Sequence, residues 1–350
     1  MYDAKTNPRG RRPAAFFLAI LLALSLSLAP AWAAEGEKQV IPLGRAVGIK
    51  LFSSGVLVVD LSAVTGESGE KSPAKSCGLK EGDVIVSAAG SELRSTEQLQ
   101  ELLQQGAGET LELQVRRGGQ LLTMQAEPVL CGDGVWRLGA WIRDSMAGIG
   151  TMTYYDPASG TYGALGHGIT DVDTALLMPL YAGSITEATV KAVKRGERGS
   201  PGELKGDFSG SRDLGTVASN TEGGIFGSME PCALTAGEPV PVAQADEVKT
   251  GPATILSNIS GDETQEYAVE IVKIYPQSQA TRNLLIRVTD SALLEKTGGI
   301  VQGMSGSPIL QDGRLVGAVT HVLVNDATRG YGILAENMLQ AAQGFQSSAA

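Results

Sequence analysis

A serine stands in a glycine-rich loop near the C-terminal end of the chain. Residues 299–310 read Gly-Ile-Val-Gln-Gly-Met-Ser-Gly-Ser-Pro-Ile-Leu, with Ser305 at the seventh position. Glycines let a backbone turn sharply and approach a substrate closely. Asp312-Gly313 then predicts a two-residue hairpin turn, and residues 314–322 return as a β-like run. The pattern makes Ser305 a candidate nucleophile on a tight turn between strands.

A serine hydroxyl is a weak nucleophile unless a neighbouring base takes its proton. The chain has two histidines that could serve. His167 lies in a Gly-His-Gly sequence that leaves its ring accessible, whereas His321 follows the β-like run Val-Gly-Ala-Val-Thr. We therefore predict that His167 is the base, with His321 as the alternative.

The serine loop and its hairpin resemble the nucleophile loop of chymotrypsin-like proteases, which share the pattern Gly-x-Ser-Gly-x-Pro. The resemblance implies that the backbone N–H groups of Gly303 and Ser305 form an oxyanion hole. Met304 replaces the aspartate usual at that position. Activation by a freed N-terminus that pairs with this aspartate is therefore excluded. Chemistry of this kind requires no cofactor and no metal.

The elements that must position these residues read as β-strands. After Cys131 the chain consists of short β-prone runs broken by glycines, such as residues 148–155 and 266–275. This texture predicts an all-β barrel or sandwich and disfavours parallel α/β folds. Between residues 135 and 290 we predict little helix, with 188–193 as the one candidate. The predicted fold class is mainly β.

A second unit precedes the serine domain. Residues 72–90 read Ser-Pro-Ala-Lys-Ser-Cys-Gly-Leu-Lys-Glu-Gly-Asp-Val-Ile-Val-Ser-Ala-Ala-Gly. They resemble the PDZ domains attached to bacterial proteases, where a helical turn is followed by Gly-Asp, a hydrophobic strand and a turn at glycine. Six residues fall on that pattern: Gly78, Leu79, Gly82, Asp83, Ile85 and Gly90. The resemblance implies a small α+β PDZ domain over residues 40–129.

A peptide-binding groove is expected in this domain. Three residues match the family's carboxylate-binding loop: Val47, Gly48 and Ile49. Residues 95–98, Ser-Thr-Glu-Gln, predict the start of a helix with an apolar leucine stripe over 99–103. We expect a peptide to add as a strand beside residues 48–53, opposite this helix. The alternative is a PDZ fold that only docks on its neighbour.

The N-terminal segment resembles an export signal. Three arginines, Arg9, Arg11 and Arg12, precede an uncharged apolar run over residues 14–29, and small residues at Ala31 and Ala33 fit a cut after Ala33. Extended to residue 34, the run nearly reaches the ~20 residues that span a bilayer, so an uncleaved anchor is the alternative. We therefore expect residues 1–33 to be a signal peptide or N-terminal membrane anchor, and the chain to be exported across the cytoplasmic membrane.

Composition excludes several function classes. The formal net charge of −10 disfavours nucleic acid as a partner. Three cysteines, Cys77, Cys131 and Cys232, lie far apart with no Cys-x-x-Cys or Cys/His ligand spacing, so neither a metal site nor a dense disulfide framework is indicated. Export permits one disulfide, and three small buried side chains are the alternative.

Three longer motifs together narrow the resemblance. They are Gly-His-Gly-Ile at 166–169, the run 297–309 around Ser305, and Gly-Ala-Val-Thr-His-Val at 317–322. In this order they resemble the stage IV sporulation protein B peptidases. The resemblance covers the signal or anchor, the PDZ domain and a chymotrypsin-like double β-barrel peptidase domain over residues 131–350.

That resemblance implies a third site residue and a biological role. The catalytic acid of the family lies on a segment matching residues 287–297, which implies Asp290. From the residues alone, Asp171 and Asp173 could also play this part, and Asp290 could simply cap a short helix. The implied role is signalling in spore formation, in the space between mother cell and forespore membranes. There the enzyme trims its own N-terminal segment and cuts a membrane-bound regulator of an intramembrane protease.

The sequence therefore predicts a serine endopeptidase. Ser305 attacks, His167 moves the proton, Asp290 orients His167, and the N–H groups of the loop stabilise the oxyanion. The alternative, from a different class, is a catalytically silent PDZ adaptor or scaffold that regulates a partner protease. An intact set of serine, histidine and candidate acid favours the enzyme.

Overall fold

A computed structural model describes residues 37–208, 212–276 and 281–346 of the 350-residue chain. The chain divides at Lys38, and the second unit, Gln39–Ala350, is compact. The predicted signal or anchor, residues 1–33, lies outside the described residues. Of the helices in the described ranges, none has the length and apolar character needed to cross a membrane.

The second unit is built mainly from antiparallel strands. Those in its first half are β1 (Gln39–Leu61), β2 (Val64–Gly66), β3 (Gly69–Lys71), β4 (Val84–Ala88), β5 (Ser91–Glu92), β6 (Leu111–Arg117), β7 (Gln120–Ala126), β8 (Val129–Leu130), β9 (Trp136–Arg137), β10 (Ala140–Asp156) and β11 (Thr161–Ala164). Those in its second half are β12 (Ala182–Glu187), β13 (Thr189–Lys194), β14 (Glu203–Asp207), β15 (Asp213–Thr221), β16 (Gly224–Met229), β17 (Val240–Pro241), β18 (Gly251–Ser257), β19 (Gln265–Ile274), β20 (Leu284–Val288), β21 (Pro308–Gln311), β22 (Arg314–Leu323) and β23 (Asp326–Leu334). The helices are α1 (Pro73–Ser76), α2 (Thr96–Gln105), α3 (Ser291–Thr297) and α4 (Ala335–Gln346).

Two closed β-barrels carry the serine and the histidine. In the first barrel the strands follow the order β1, β10, β11, β16, β15 and β12, and β12 returns to pair with β1. The second barrel has the order β18, β19, β20, β23, β22 and β21. Closing a sheet on itself leaves no strand edge unpaired. This architecture confirms the predicted mainly β fold with a double-barrel peptidase domain.

The barrels form because their strands alternate between buried and exposed positions. On β18, Ala253 and Ile255 point into the second barrel, and on the adjacent β19 Tyr267, Val269 and Ile271 do the same. Successive side chains of a strand face opposite sides, so this period of two gives each barrel one apolar inner face. The first barrel has a separate core around Val47, Leu51, Met152 and Ile185, among others.

Two long strands are shared between the first barrel and the PDZ-like unit. The first half of β1 pairs with β10 in the barrel, and after a register shift between Phe52 and Leu57 its second half pairs with β4 and with the start of β10. The PDZ-like core lies between this sheet and α2. The predicted boundaries at 40–129 and 131–350 therefore need correction, because β1 up to Phe52 packs in the first barrel and the start of β10 completes the PDZ-like sheet.

One local prediction is wrong. Residues 188–193, predicted as a helix, overlap strand β13, which pairs with β14. Thr189, Val190 and Val193 are β-branched residues that suit a strand, and Val190 is buried. The tertiary pairing decides the conformation of this short segment.

Candidate active site

The serine and the preferred histidine meet in a cavity between the two barrels. This inter-barrel cavity has a volume of about 540 Å³. From the first barrel and its loops it is lined by Ile49, Met146, Ala147, Gly148, Ile149, Leu165, His167, Ile169, Thr170, Val172 and Pro201. From the second barrel it is lined by Ile300, Val301, Gln302, Gly303, Ser305, Thr320, His321, Val322 and Val324. The walls are largely apolar, with polar groups concentrated at the serine and the histidines.

The serine loop is held in place by strand β10. Thr151 donates its backbone N–H to the carbonyl oxygen of Ser305 at 3.1 Å and its side-chain hydroxyl to the carbonyl oxygen of Gly303 at 2.7 Å. Gly306 has a φ of +99°, and a Cβ there would lie 2.0 Å from the carbonyl oxygen of Thr151. The loop therefore requires glycine at this position. Thr151 is a functional contact that sequence reasoning did not identify.

The two predicted oxyanion donors are oriented by the same loop. Gly303 has a φ of +96°, a conformation that favours glycine. Within the described part of the chain, the N–H groups of Gly303 and Ser305 donate no hydrogen bond to protein atoms. Met304, between them, is fully buried in the core of the second barrel. Anchoring of Met304 leaves the flanking N–H groups available to an oxygen atom that enters the cavity.

The hydroxyl of Ser305 has a specific partner at rest. Its Oγ donates to the carbonyl oxygen of Thr320 at 2.7 Å, on strand β22. Proton transfer to His167 thus requires rotation of the hydroxyl away from Thr320. The hydrogen bond between a catalytic hydroxyl and its base is commonly long in a free enzyme and tightens only when substrate is bound.

His167 is arranged as a neutral base. Its Nδ1 lies 2.8 Å from the carbonyl oxygen of Gly168. Burial lowers the pKa of His167 below its ordinary value, although the hydrogen bond to Gly168 acts in the opposite direction. A neutral imidazole at neutral pH is the form that can accept a proton from serine.

His321 lies in the same cavity. Its ring centroid is 5.1 Å from that of His167, with the two planes inclined by 38°. Burial, together with the charges of His167 and Arg282, lowers the pKa of His321 to about 4. His321 is therefore neutral at neutral pH. The structure brings both histidines to the serine, so position alone does not decide between them.

Asp290 lies elsewhere. It is the N-cap of α3, where its carboxylate accepts the N–H of Leu293 at 2.9 Å. Thr281, earlier on the same chain segment, does approach the serine: its carbonyl accepts a hydrogen bond from the hydroxyl of Thr320, whose own carbonyl accepts from Ser305. Strand β20 separates Thr281 from Asp290, and its five residues span about 16 Å. The contacts of Asp290 are therefore those of a helix cap, the second role that the sequence left open. Asp290 does not line the inter-barrel cavity.

The two other candidate acids organise the loop that follows His167. The buried carboxylate of Asp171 accepts hydrogen bonds from the N–H groups of Asp173 and Thr174, and it pairs with Arg143 of β10. Asp173 pairs with the same arginine at 2.9 Å. Among the described contacts, neither carboxylate is hydrogen-bonded to His167. Their role here is to tie the loop to strand β10.

The predicted carboxylate-binding loop is not a binding site in this structure. Gly48 lies opposite Ile149 of β10 on one side and opposite Thr186 of β12 on the other. Val47 and Ile49 are buried in the first barrel. A peptide cannot add beside residues 48–53, because both edges of β1 are already paired. The local sequence pattern matches a PDZ loop, but barrel pairing occupies it.

A different groove has the features expected of a PDZ domain. A cavity of about 300 Å³, here called the α2 groove, is lined by Ser62, Val64, Leu99, Gln100, Leu103, Arg137, Leu138, Gly139, Ala140, Trp141 and Ile142. Gly139 has a φ of +75° and leads directly into β10. At its two ends α2 is linked to two strands: Thr96 donates its N–H to Asp144 of β10, and Gln104 donates its side chain to the carbonyl of Trp136 on β9. The α2 groove therefore has the predicted helix as one wall, but its other wall is the start of β10 and not the predicted residues 48–53.

The three cysteines are free thiols. Cys131 is buried, while Cys77 and Cys232 are partly buried. This agrees with the alternative of separate small side chains.

Comparison with solved structures shows only distant likeness. The Rv3671c protease of Mycobacterium tuberculosis in its active form is 16% identical, covering 57% of this chain and 74% of that chain, with a TM-score of 0.34. The PDZ domain of the SdrC-like protein of Listeria monocytogenes is 19% identical, covering 25% of this chain and 87% of that chain, with a TM-score of 0.21.

Among curated proteins, a Clostridium perfringens protein whose name describes it as a putative zinc metalloprotease is 22% identical over 109 residues. The match includes 29% of this chain, and the chain spans about a third (32%) of the length of that relative.

Two sequence families match the chain directly. Residues 66–117 match the PDZ domain family, and this segment includes helix α2, which forms a wall of the groove. Residues 134–339 match the family described as SpoIVB peptidase S55, and this segment contains both histidines and the serine loop. More than half of the chain lies in the second match. The chain belongs to the SpoIVB peptidase S55 family.

Proposed function

We propose that Ser305 is the nucleophile and His167 the general base of this PDZ-containing serine endopeptidase. The observation that carries the proposal is that two barrels bring these side chains to one cavity, beside two N–H groups that donate to no protein atom in the described part of the chain. His167 is preferred over His321 because the Gly168 carbonyl holds its Nδ1, which leaves Nε2 as the proton acceptor. Membership of a peptidase family supports it.

The geometry supports a defined sequence of events. The Ser305 hydroxyl turns from the Thr320 carbonyl toward Nε2 of His167, which takes its proton as Oγ attacks the peptide carbonyl carbon. The N–H groups of Gly303 and Ser305 stabilise the oxyanion, an effect worth several kcal/mol. The imidazolium of His167 then gives the proton to the leaving amine, and water releases the acyl group by the reverse path.

The cavity also supports a preference among substrates. Ile300, Val301, Val322 and Val324 line it beside the serine, and among the described lining residues only the two histidines are titratable. We propose that the side chain seated next to the scissile bond is apolar, since a charged group would be desolvated there without a partner.

The proposal is tested with the full chain and its Ser305→Ala variant. The parent protein should release fragments whose N-termini, read by sequencing, fall after apolar residues. The Ser305→Ala variant should have the same thermal unfolding midpoint as the parent and should release no fragments. Cleavage that persists in the variant would contradict the assignment, and an inert parent protein would favour the adaptor alternative.

For the PDZ domain we propose peptide binding in the α2 groove. A peptide added to the edge of β10 that faces the groove, where no strand of the described chain pairs, would gain main-chain hydrogen bonds, with its terminal side chain in the pocket beside Leu103. The candidate ligands are the chain's own N-terminal segment and the tail of a protein substrate.

The wider role is a proposal supported by the family. We propose that the peptidase acts after export, in the space between mother cell and forespore membranes, and remains anchored or is released there. Its substrates would be its own N-terminal segment and a membrane-bound regulator of an intramembrane protease. The name of the matched family refers to sporulation, which supports the part of this proposal that concerns spore formation.

A further inference from the structure

The ring of His167 is oriented by a backbone carbonyl. Because a carbonyl oxygen can only accept, the 2.8 Å contact to Gly168 places the proton of the neutral ring on Nδ1. Nε2 is then the proton acceptor. In a serine triad an acid performs this task by holding the far nitrogen of the histidine. A backbone carbonyl fixes the tautomer of many histidines in the same way.

The carbonyl of Gly168 is held by the residue that follows it. The side-chain amide of Asn220, on strand β15, forms hydrogen bonds with both the N–H and the carbonyl of Ile169. Oδ1 of Asn220 accepts the N–H of Ile169 at 2.8 Å, and Nδ2 donates to the carbonyl of Ile169 at 2.9 Å. The same Nδ2 donates to the carbonyl of Met178 at 3.0 Å. One amide thus joins the start and the end of the loop that follows His167.

Gly168 itself is packed against the same strand. A Cβ at Gly168 would lie 2.5 Å from the carbonyl oxygen of Thr221, the neighbour of Asn220, and 2.2 Å from the side chain of Leu177. The close approach fixes the peptide plane of Gly168 from a second direction. The contacts of Asn220 and Thr221 both come from β15, far from Ser305 in sequence.

We propose that Asn220 is a positioning residue that holds the Gly168 carbonyl and thereby keeps His167 in the tautomer required by a serine nucleophile. The consequence for catalysis rests on the proposed peptidase function, whereas the contacts that Asn220 makes with the loop do not depend on it. Asn220 acts through the backbone and touches neither the substrate nor the reacting atoms.

Other charged groups face the histidines and provide a control. Glu222 and Arg282 line a neighbouring cavity with His167 and His321. Glu222 is exposed, and in the described parts of the chain its carboxylate forms no hydrogen bond with either ring. It stands two residues after Asn220, so Glu222→Gln is a matched change of a nearby polar group outside the Gly168 contact.

The first test reads the tautomer directly by ¹⁵N NMR on the full chain carrying Ser305→Ala. Two histidines make the spectrum assignable with one His321→Gln sample. We expect a protonated Nδ1 and an unprotonated Nε2 for His167, and a mixture of tautomers after Asn220→Ala or Asn220→Asp. Asn220→Asp keeps the acceptor for the Ile169 N–H, but its carboxylate cannot donate to the carbonyls of Ile169 and Met178 and repels them, so the loop is loosened without removal of the whole side chain. A protonated Nε2 in the parent, or an unchanged tautomer in a folded Asn220 variant, overturns the proposal.

The second test uses peptide cleavage by the same variants on a Ser305 background. Asn220→Asp should lower kcat roughly tenfold or more with KM little changed, because the fraction of correctly protonated ring falls. Glu222→Gln should stay within about twofold of the parent. Equal kcat for Asn220→Asp and the parent would contradict the role. If the chain cleaves no peptide, the proposed function fails while the NMR result still decides the tautomer.

Discussion

His167 and Ser305 are each held by backbone carbonyls. Ser305 donates to Thr320, and His167 donates to Gly168. At rest the nucleophile and the base are therefore oriented separately and not by each other. The proposed first step requires the serine hydroxyl to turn from Thr320 toward Nε2 of His167.

The lowered pKa of His167 predicts the pH dependence of cleavage. The base must be neutral, and burial disfavours its charged form, so the neutral form persists below the ordinary histidine pKa of about 6.5. We expect the acid limb of kcat/KM to have its midpoint below about 6.5, measured with one peptide across a pH series that brackets this value. A midpoint above the ordinary histidine value would contradict the burial argument.

Asp290 provides a test of the family expectation against its position. Because Asp290 is an N-cap, its replacement by Ala should lower the unfolding free energy by about 1 kcal/mol, whereas Asn can still cap the helix. We predict that Asp290→Asn keeps its thermal midpoint and keeps kcat within a few-fold. A folded Asp290→Asn protein that loses roughly a thousandfold or more in kcat would return Asp290 to the catalytic site.

At the scale of elements, strand β10 connects the parts of the molecule. Its start borders the α2 groove, residues 146–149 line the inter-barrel cavity, and Thr151 grips the serine loop. Arg143 of the same strand pairs with Asp171 in the loop that follows His167. One strand thus contacts the groove, the base-bearing loop and the nucleophile loop.

Thr151→Val tests the grip on the serine loop. The variant removes the hydroxyl that donates to Gly303 at 2.7 Å while keeping the side-chain shape. We expect a loss of about 1 kcal/mol in unfolding free energy and a fall in kcat of roughly tenfold. The matched control is Thr153→Val, two residues along β10, because the buried hydroxyl of Thr153 has no described partner. Similar effects from both variants would contradict a specific role for Thr151.

Gly48→Ala tests the correction to the predicted carboxylate-binding loop. A Cβ at Gly48 would lie 2.4 Å from Oγ1 of Thr186 and 2.6 Å from the side chain of Phe208. We expect overpacking of the first barrel to cost about 1 to 3 kcal/mol of unfolding free energy, measured by denaturant titration. Unchanged stability with impaired peptide binding would restore the original assignment.

For the whole molecule, the PDZ domain and the barrels form one compact unit. The α2 groove can therefore present a bound protein to the cavity through β10 without a linker between them. Trp141 lies in the groove wall and is 62% exposed, so it can be changed without disturbing the core.

Trp141→Glu tests groove-dependent recognition. The variant should reduce cleavage of a protein substrate captured through the α2 groove, while cleavage of a short peptide with the same scissile site stays unchanged. Leu121→Glu is the matched control, because Leu121 is 63% exposed on β7 and is absent from the groove lining. Parallel loss of peptide and protein cleavage would place the defect in the cavity instead.

Sequence patterns predicted the parts of the site that depend on local chemistry. Glycines around Ser305 and His167 indicated exposed turns, and β-branched runs indicated barrels. The contacts of Asn220 and Thr151 could not be predicted, because they join segments 51 and 152 residues apart by hydrogen bonds that leave no local pattern. The loop at Gly48 was misassigned for the converse reason: its local pattern was typical of a PDZ loop, but pairing with β10 and β12 determined its environment.

Covalent labelling with a fluorophosphonate, followed by peptide mapping by mass spectrometry, tests the assignment of the nucleophile most directly. We predict one label per chain, on Ser305, with labelling at least about a hundredfold slower in His167→Ala and absent in Ser305→Ala. A parent protein that takes no label, or takes it on Ser307 or another serine, would contradict the assignment of Ser305 as the nucleophile.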